Sequence, residues 1–168
     1  MRIEQLNAAD RAAFVAAVGF TFEKSPWVAE TAWERRPFAD VGALHAAMLG
    51  AVAAAPENRR VAVIAAHPDL AGRLAREGRL TPASMQEQAA AGLDGLTPEE
   101  IARFEELNTA YRARFGFPFV ICAREQTKAS ILATLARRLE NDRATEIETA
   151  LCEIGEIARL RLRDAVQA

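Results

Sequence analysis

Only two histidines occur in the 168 residues, so proton transfer near neutral pH has few places to sit. One of them, His67, opens the stretch HPDLAGRLAREGRLTPASMQEQ and stands directly before Pro68. Later in the same stretch come Ser84, Glu87 and Gln88. Their spacing of i, i+3, i+4 stacks the three side chains on one face of a helix. A histidine and a carboxylate brought together in a pocket form a minimal acid–base pair. Pro68 disfavours helical angles at His67, which aims the imidazole off the end of the preceding helix on a stiff hinge. Each feature also has an ordinary reading. A histidine at a helix C-terminus can simply interact with the dipole. S-x-x-E is also the pattern of a capping box. Thr81-Pro82 already supplies a helix start, so spacing alone leaves capping and function both open.

The second histidine, His45, follows Leu44 in an apolar helical pattern with no polar companion at a defined spacing, and reads as a helix-surface or packed histidine. Cys122 and Cys152 are isolated. With no CxxC or HxxxH pair, a zinc site has nothing to start from. Two such cysteines fit a reducing cytosol, and the expected location is cytoplasmic. The N-terminal segment carries Glu4 and Asp10 and lacks the apolar centre of a signal peptide. Hydrophobic residues make up 51% and charged residues 26%, with a net charge of -2, which makes no electrostatic case for nucleic acid or an anionic membrane. No apolar run reaches the ~18 residues of a membrane span.

The elements that must position these residues read as helices, because Ala, Leu, Arg and Glu dominate the chain. Asn7 is expected to start a helix carrying Phe14, Val15 and Val18, with Gly19 as its stop. Ser25-Pro26 starts a short helix that Pro37 ends. Trp27 and Trp33 are expected in the core, with Phe22 or Trp27 as the alternative roof of a pocket, and Glu23 is expected to be a solvated charge. A helix spans Asp40 to Ala55. Val61, Val63 and Ile64 would suit a strand, yet no other segment alternates well enough to pair with one, so a helix ending at His67 is expected. Asp69 is expected to cap a short helix of Leu70, Leu74 and Ala75.

Thr97 and Glu100 frame a capping box for a helix running to about Phe115. Asn108 falls on the apolar stripe of that helix, and a buried amide there should brace a neighbouring loop. Gly116 suits a left-handed cap. Phe117 to Ala123 (FPFVICA) is too short and too broken by Pro118 to be a helix, so its backbone groups must bond to another segment or a ligand. Thr127 and Asn141 start the last two helices. Arg161 lies four residues after Ile157 on the buried stripe of the second, which points it inwards towards a carboxylate. The expected fold is one all-α domain over residues 1–168, a bundle of about eight helices.

Taken together, HPDL, S-x-x-EQ-x-x-AGL, F-x-x-LN-x-x-Y-x-x-RFGFPFVIC and the EI-x-x-IA-x-LRL ending resemble the OHCU decarboxylase family, as do SPWVAE and RPF earlier in the chain. OHCU is 2-oxo-4-hydroxy-4-carboxy-5-ureidoimidazoline, an intermediate of urate breakdown. The resemblance spans nearly the whole chain in order. It implies an all-helical homodimer that converts OHCU to (S)-allantoin and CO2 without metal or organic cofactor. It implies that His67 and Glu87 are the catalytic pair. It further implies that Pro68, Ser84, Gln88, Phe119, Val120, Ile121, Cys122, Ala123 and Arg161 bind substrate, with the loop residues acting through backbone more than side chain. Two other readings stand beside it: a helical adaptor without chemistry, and a lyase for another ureido or imidazoline acid.

Overall fold

The computed structural model describes residues 1–167, with the side chain of Leu74 outside the description. Leu74 and Ala75 lie in a short helix, Arg73–Arg76, as expected, while Leu70 precedes it. The described residues form ten α-helices and no named strand. None of the helices is long and apolar enough to cross a membrane. The expected all-α class is the observed one. One helix, Ile3–Ala8, was not anticipated, because six residues are too few to show a period of their own.

The chain divides into two compact units. The first holds Met1–Ala66 and the chain from Gly155 onward. Its helices are α1 (Ile3–Ala8), α2 (Arg11–Val18), α3 (Trp27–Trp33), α4 (Val41–Ala53) and α5 (Glu57–Ala65). Asp10 and Asp40 cap α2 and α4 by accepting the Ala13 and Ala43 amides. Asn7 is therefore not a helix start. It sits inside α1, and its side-chain amide pairs with both backbone groups of Phe38. α3 packs on α2 and α4, and Phe14, Val18, Phe22, Val28, Leu44 and Met48 fill the space between. Each such side chain contributes roughly 1.5–3 kcal/mol when withdrawn from water. The tryptophans are not core anchors. Both are half-buried, with the Arg59 guanidinium over Trp27 and that of Arg36 over Trp33. α5 is a helix as expected. His45 is a packed histidine, its Nε2 lying 2.9 Å from the Gly155 carbonyl oxygen.

The second unit runs from His67 to Ile154. It contains α6 (Arg73–Arg76), α7 (Pro82–Ala90), α8 (Pro98–Phe115), α9 (Lys128–Arg138) and the start of α10 (Arg143–Ala165), whose last residues belong to the first unit. Thr97 and Glu100 form the expected capping box, and Gly116 ends α8 at φ 80°. α8 buries Phe104, Leu107, Tyr111 and Phe115, spaced by three and four residues as one helical face requires. Tyr111 meets Phe115, Phe117 and Phe119 at ring separations of 4.6, 6.1 and 5.5 Å, so the loop after α8 is folded back onto the helix it leaves. Asn141 does not cap α10. Asp142 does, accepting the Thr145 amide at 2.7 Å.

Candidate active site

His67 follows the end of α5 and is 5% exposed. The loop it opens is held from three helices. From α7, Gln88 accepts the Ala71 amide at 3.0 Å and donates to the Asp69 carbonyl at 3.4 Å. From α8, Asn108 donates to the Leu70 carbonyl at 2.9 Å, the loop brace expected of a buried amide. Also from α8, Arg112 pairs with Asp69 at 2.9 and 3.2 Å. From α6, Arg76 donates to the Ala71 carbonyl at 3.3 Å. Asp69 thus does not cap α6, whose cap position is Gly72. A Cβ on Gly72 would come within 2.8 Å of the Asp69 Cβ, so the turn closes only around a glycine. Ala71 is held at φ 51°, in the left-handed region that non-glycine residues rarely enter. A loop under such constraint keeps the residue that opens it in place.

α7 starts where Thr81-Pro82 placed it. The Thr81 hydroxyl accepts the Ser84 amide at 3.3 Å, and Pro82 is the first helical residue. The cap is therefore supplied by Thr81, and Ser84 lies within the first turn instead of at the cap. Ser84 and Gln88 are buried, and Glu87 on the same face is half-buried. Gln88 also lines a cavity of about 480 Å³ with Ala71, Met85, Ala89, Leu93 and Ile101. That volume falls among small-molecule pockets of roughly 300–1,000 Å³.

α7 packs against a 3-10 turn, Ala123–Glu125, that closes the Phe/Pro-rich loop. Phe119, Val120, Ile121 and Ala123 are buried and Cys122 is half-buried. The loop's backbone groups go to another segment, as the sequence demands. The Val120 carbonyl accepts from Arg138 Nη1 at 2.8 Å, and the Cys122 amide donates to Glu153 Oε2 at 2.8 Å. Neither anchor was found by sequence reasoning. A signal for Arg138 was present: it continues the buried stripe of α9 after Ile131 and Leu135, the same argument that drew attention to Arg161.

The structure therefore brings Gln88 to the residues just after His67, and α7 to Ala123. Arg161 belongs to the other unit. Its expected inward direction and carboxylate partner are both found. Arg161 Nη1 lies 2.9 Å from Glu23 Oε2, with both side chains 2% exposed, and also donates to the Phe20 carbonyl at 3.1 Å. Glu23 is thus a buried counter-charge and not a solvated one. At such burial a carboxylate is retained only against a cation and hydrogen-bond donors.

A sequence model of the family described as OHCU decarboxylase matches residues 7–163. The chain is 39% identical over 164 residues to a 2-oxo-4-hydroxy-4-carboxy-5-ureidoimidazoline decarboxylase of Halalkalicoccus jeotgali, covering 98% of this chain and 91% of that protein. It is 42% identical over 164 residues to the decarboxylase of the same description from Haloferax volcanii, covering 98% and 95%. Among solved structures, a crystal structure of (S)-allantoin synthase superposes with a TM-score of 0.80 at 28% identity, over 99% of this chain. The chain spans about half of that protein, 54% of its length. Sequence kinship and fold agree, and the chain belongs to the OHCU decarboxylase family.

Proposed function

We propose that this chain decarboxylates OHCU to (S)-allantoin and CO2 in urate breakdown, with His67 and Glu87 as its catalytic pair. The observation that carries the reading is the family match across residues 7–163, which takes in the buried His67, its pinned loop and the helix bearing Glu87. The substrate's carboxylate sits on a ring carbon next to a C=N bond. When the bond to CO2 breaks, its electron pair forms a double bond to the neighbouring carbon, and the C=N pair moves onto nitrogen. The substrate is its own electron sink, so the protein is left to orient groups and move protons.

Three proton events complete the balance. The ring nitrogen takes one proton, the hydroxyl on the former carboxyl-bearing carbon loses one to become the allantoin carbonyl, and the ureido-bearing carbon gains one. The net reaction of the carboxylate anion consumes a single proton. His67 is suited to take the hydroxyl proton or deliver one to carbon, and Glu87 to set its tautomer and charge. Delivery to one face makes one enantiomer. Ser84, Gln88 and the peptide groups of Phe119 to Ala123 are the proposed contacts to the ureido and ring amide groups, with Pro68 as part of the wall. Arg161 is the proposed clamp for anionic oxygen, a role for which its forked guanidinium is suited.

We read both units as one catalytic domain, since the family match runs through both. A cytoplasmic homodimer is the proposed working form. The family resemblance supports the dimer, and the two free cysteines support a reducing compartment. The function is tested by forming OHCU in place from urate with purified oxidase and hydrolase, then adding this protein. Faster CO2 release together with circular dichroism of a single allantoin enantiomer is expected. Racemic allantoin at the spontaneous rate would overturn the reading.

A further inference from the structure

One buried charge cluster lies outside the proposed catalytic pair. Arg138 on α9 is 3% exposed and Glu146 on α10 is wholly buried. Arg138 Nε and Nη2 approach Glu146 Oε2 at 2.9 and 2.8 Å. The other carboxylate oxygen accepts from Asn141 Nδ2 at 2.8 Å, and the Tyr111 hydroxyl also donates to Glu146. Burial foremost, and then the bond to Glu146, push the Tyr111 hydroxyl well above the usual phenol range, so it remains a donor. Every part of this cluster converges on one outlet. The remaining arm of the Arg138 guanidinium, Nη1, reaches the Val120 carbonyl, while its plane lies 4.5 Å from the centre of the Phe119 ring.

A buried ion pair is a poor device for stability alone, because withdrawing both charges from water costs about as much as their attraction returns. Apolar side chains of the same volume would hold α9 to α10 as well. They could not hold a peptide carbonyl in a loop that has no helix or strand to fix it. We propose that Arg138 is a positioning residue for catalysis. Oriented by Glu146, Asn141 and Tyr111, it sets the register of the Phe119–Ala123 peptide groups against the substrate. Glu153, bound to the Cys122 amide two residues on, is the second clamp of the same loop. This inference rests on reading Phe119 to Ala123 as the substrate wall.

The test is the paired swap Arg138→Met with Glu146→Leu, which keeps the core apolar and filled while removing the guanidinium from Val120. The swapped protein is expected to fold but to melt below the parent, because the Tyr111 hydroxyl, the Asn141 amide and the Val120 carbonyl lose their partners. Its KM for OHCU is expected to rise about tenfold or more with kcat changed far less, as loss of ground-state contacts requires. Amide hydrogen exchange in the peptide spanning 117–125 is expected to quicken at the same time. A folded swap with unchanged KM and unchanged exchange would overturn the proposal. If the swap fails to fold, Arg138→Lys keeps the charge opposite Glu146 but lacks the third arm, and the same KM rise and exchange change are expected of it. Unaltered values in Arg138→Lys would overturn the proposal equally. Parent protein that leaves OHCU untouched would sink the functional reading instead, and hydrogen exchange would still report whether Arg138 holds the loop.

Discussion

Replacing Gln88 with alanine should loosen the loop that follows His67, and the size of the effect can be worked from its two bonds. The Ala71 amide is buried, and Gln88 Oε1 at 3.0 Å is its partner. Stranding a buried donor costs about 1–3 kcal/mol. The second bond, to the Asp69 carbonyl, is long at 3.4 Å and adds little. Ala71 meanwhile sits at φ 51°, a conformation that opposes the native loop by about 1 kcal/mol or more and persists only while its surroundings hold it. The combined loss should be about 2 kcal/mol. For a domain of this size that lowers the melting temperature by roughly 4–8 °C. Thermal unfolding followed at 222 nm reads this directly, and the decarboxylation assay on the same sample should show kcat/KM reduced at least tenfold, because the residue opening the loop is no longer held to fractions of an ångström. Ala71→Gly, tested separately, should be neutral or stabilising. A Gln88→Ala protein with unchanged melting and unchanged turnover would refute the claim that this side chain holds the His67 loop.

Other outcomes follow from the buried charges. The native Tyr111 phenol keeps its proton to higher pH than the unfolded one, so its contribution is complete below pH 10.0 and is lost as the pH rises beyond that value. Tyr111→Phe should therefore lower stability near pH 8 by about 1.5–3 kcal/mol, the scale of a hydrogen bond to a charged group, and flatten the fall above pH 10.0 in urea titrations. Glu23→Gln weakens the neutralisation of the buried Arg161 and should cost up to about 3–5 kcal/mol, measured by urea unfolding at neutral pH. A cost below 1 kcal/mol would mean, by the same principle, that the pair is well solvated in solution.

Local grammar in the chain was legible where a residue's partner lies within one turn. Thr81-Pro82, the Thr97 and Glu100 box and Gly116 all punctuate helices where their chemistry dictates. A buried polar residue on an apolar stripe announces a need without naming its partner. Asn108 and Arg161 were read as inward on that ground, and their partners, the Leu70 carbonyl and Glu23, appear only in three dimensions. Readings failed where a capping residue is drawn off by a distant partner. Asn7 is taken by Phe38 and Asp69 by Arg112, so neither serves the helix beside it. Glu23 misled for a related reason, since nothing nearby in sequence forecasts a cation from the last helix. The catalytic roles proposed for His67 and Glu87 came from the family resemblance. Spacing alone put Glu87 on a face with Ser84 and Gln88 and could not distinguish a site from a cap. The observed Thr81 cap leaves that face for other work.

The central claim is that one buried imidazole moves the protons that turn OHCU into a single allantoin enantiomer. His67→Ala, shown by its melting curve to be folded, tests it most directly when compared with the parent for CO2 release and optical activity. The account predicts that nearly all of the acceleration disappears and that the allantoin formed is racemic. Full turnover to the same single enantiomer by the folded variant would contradict it.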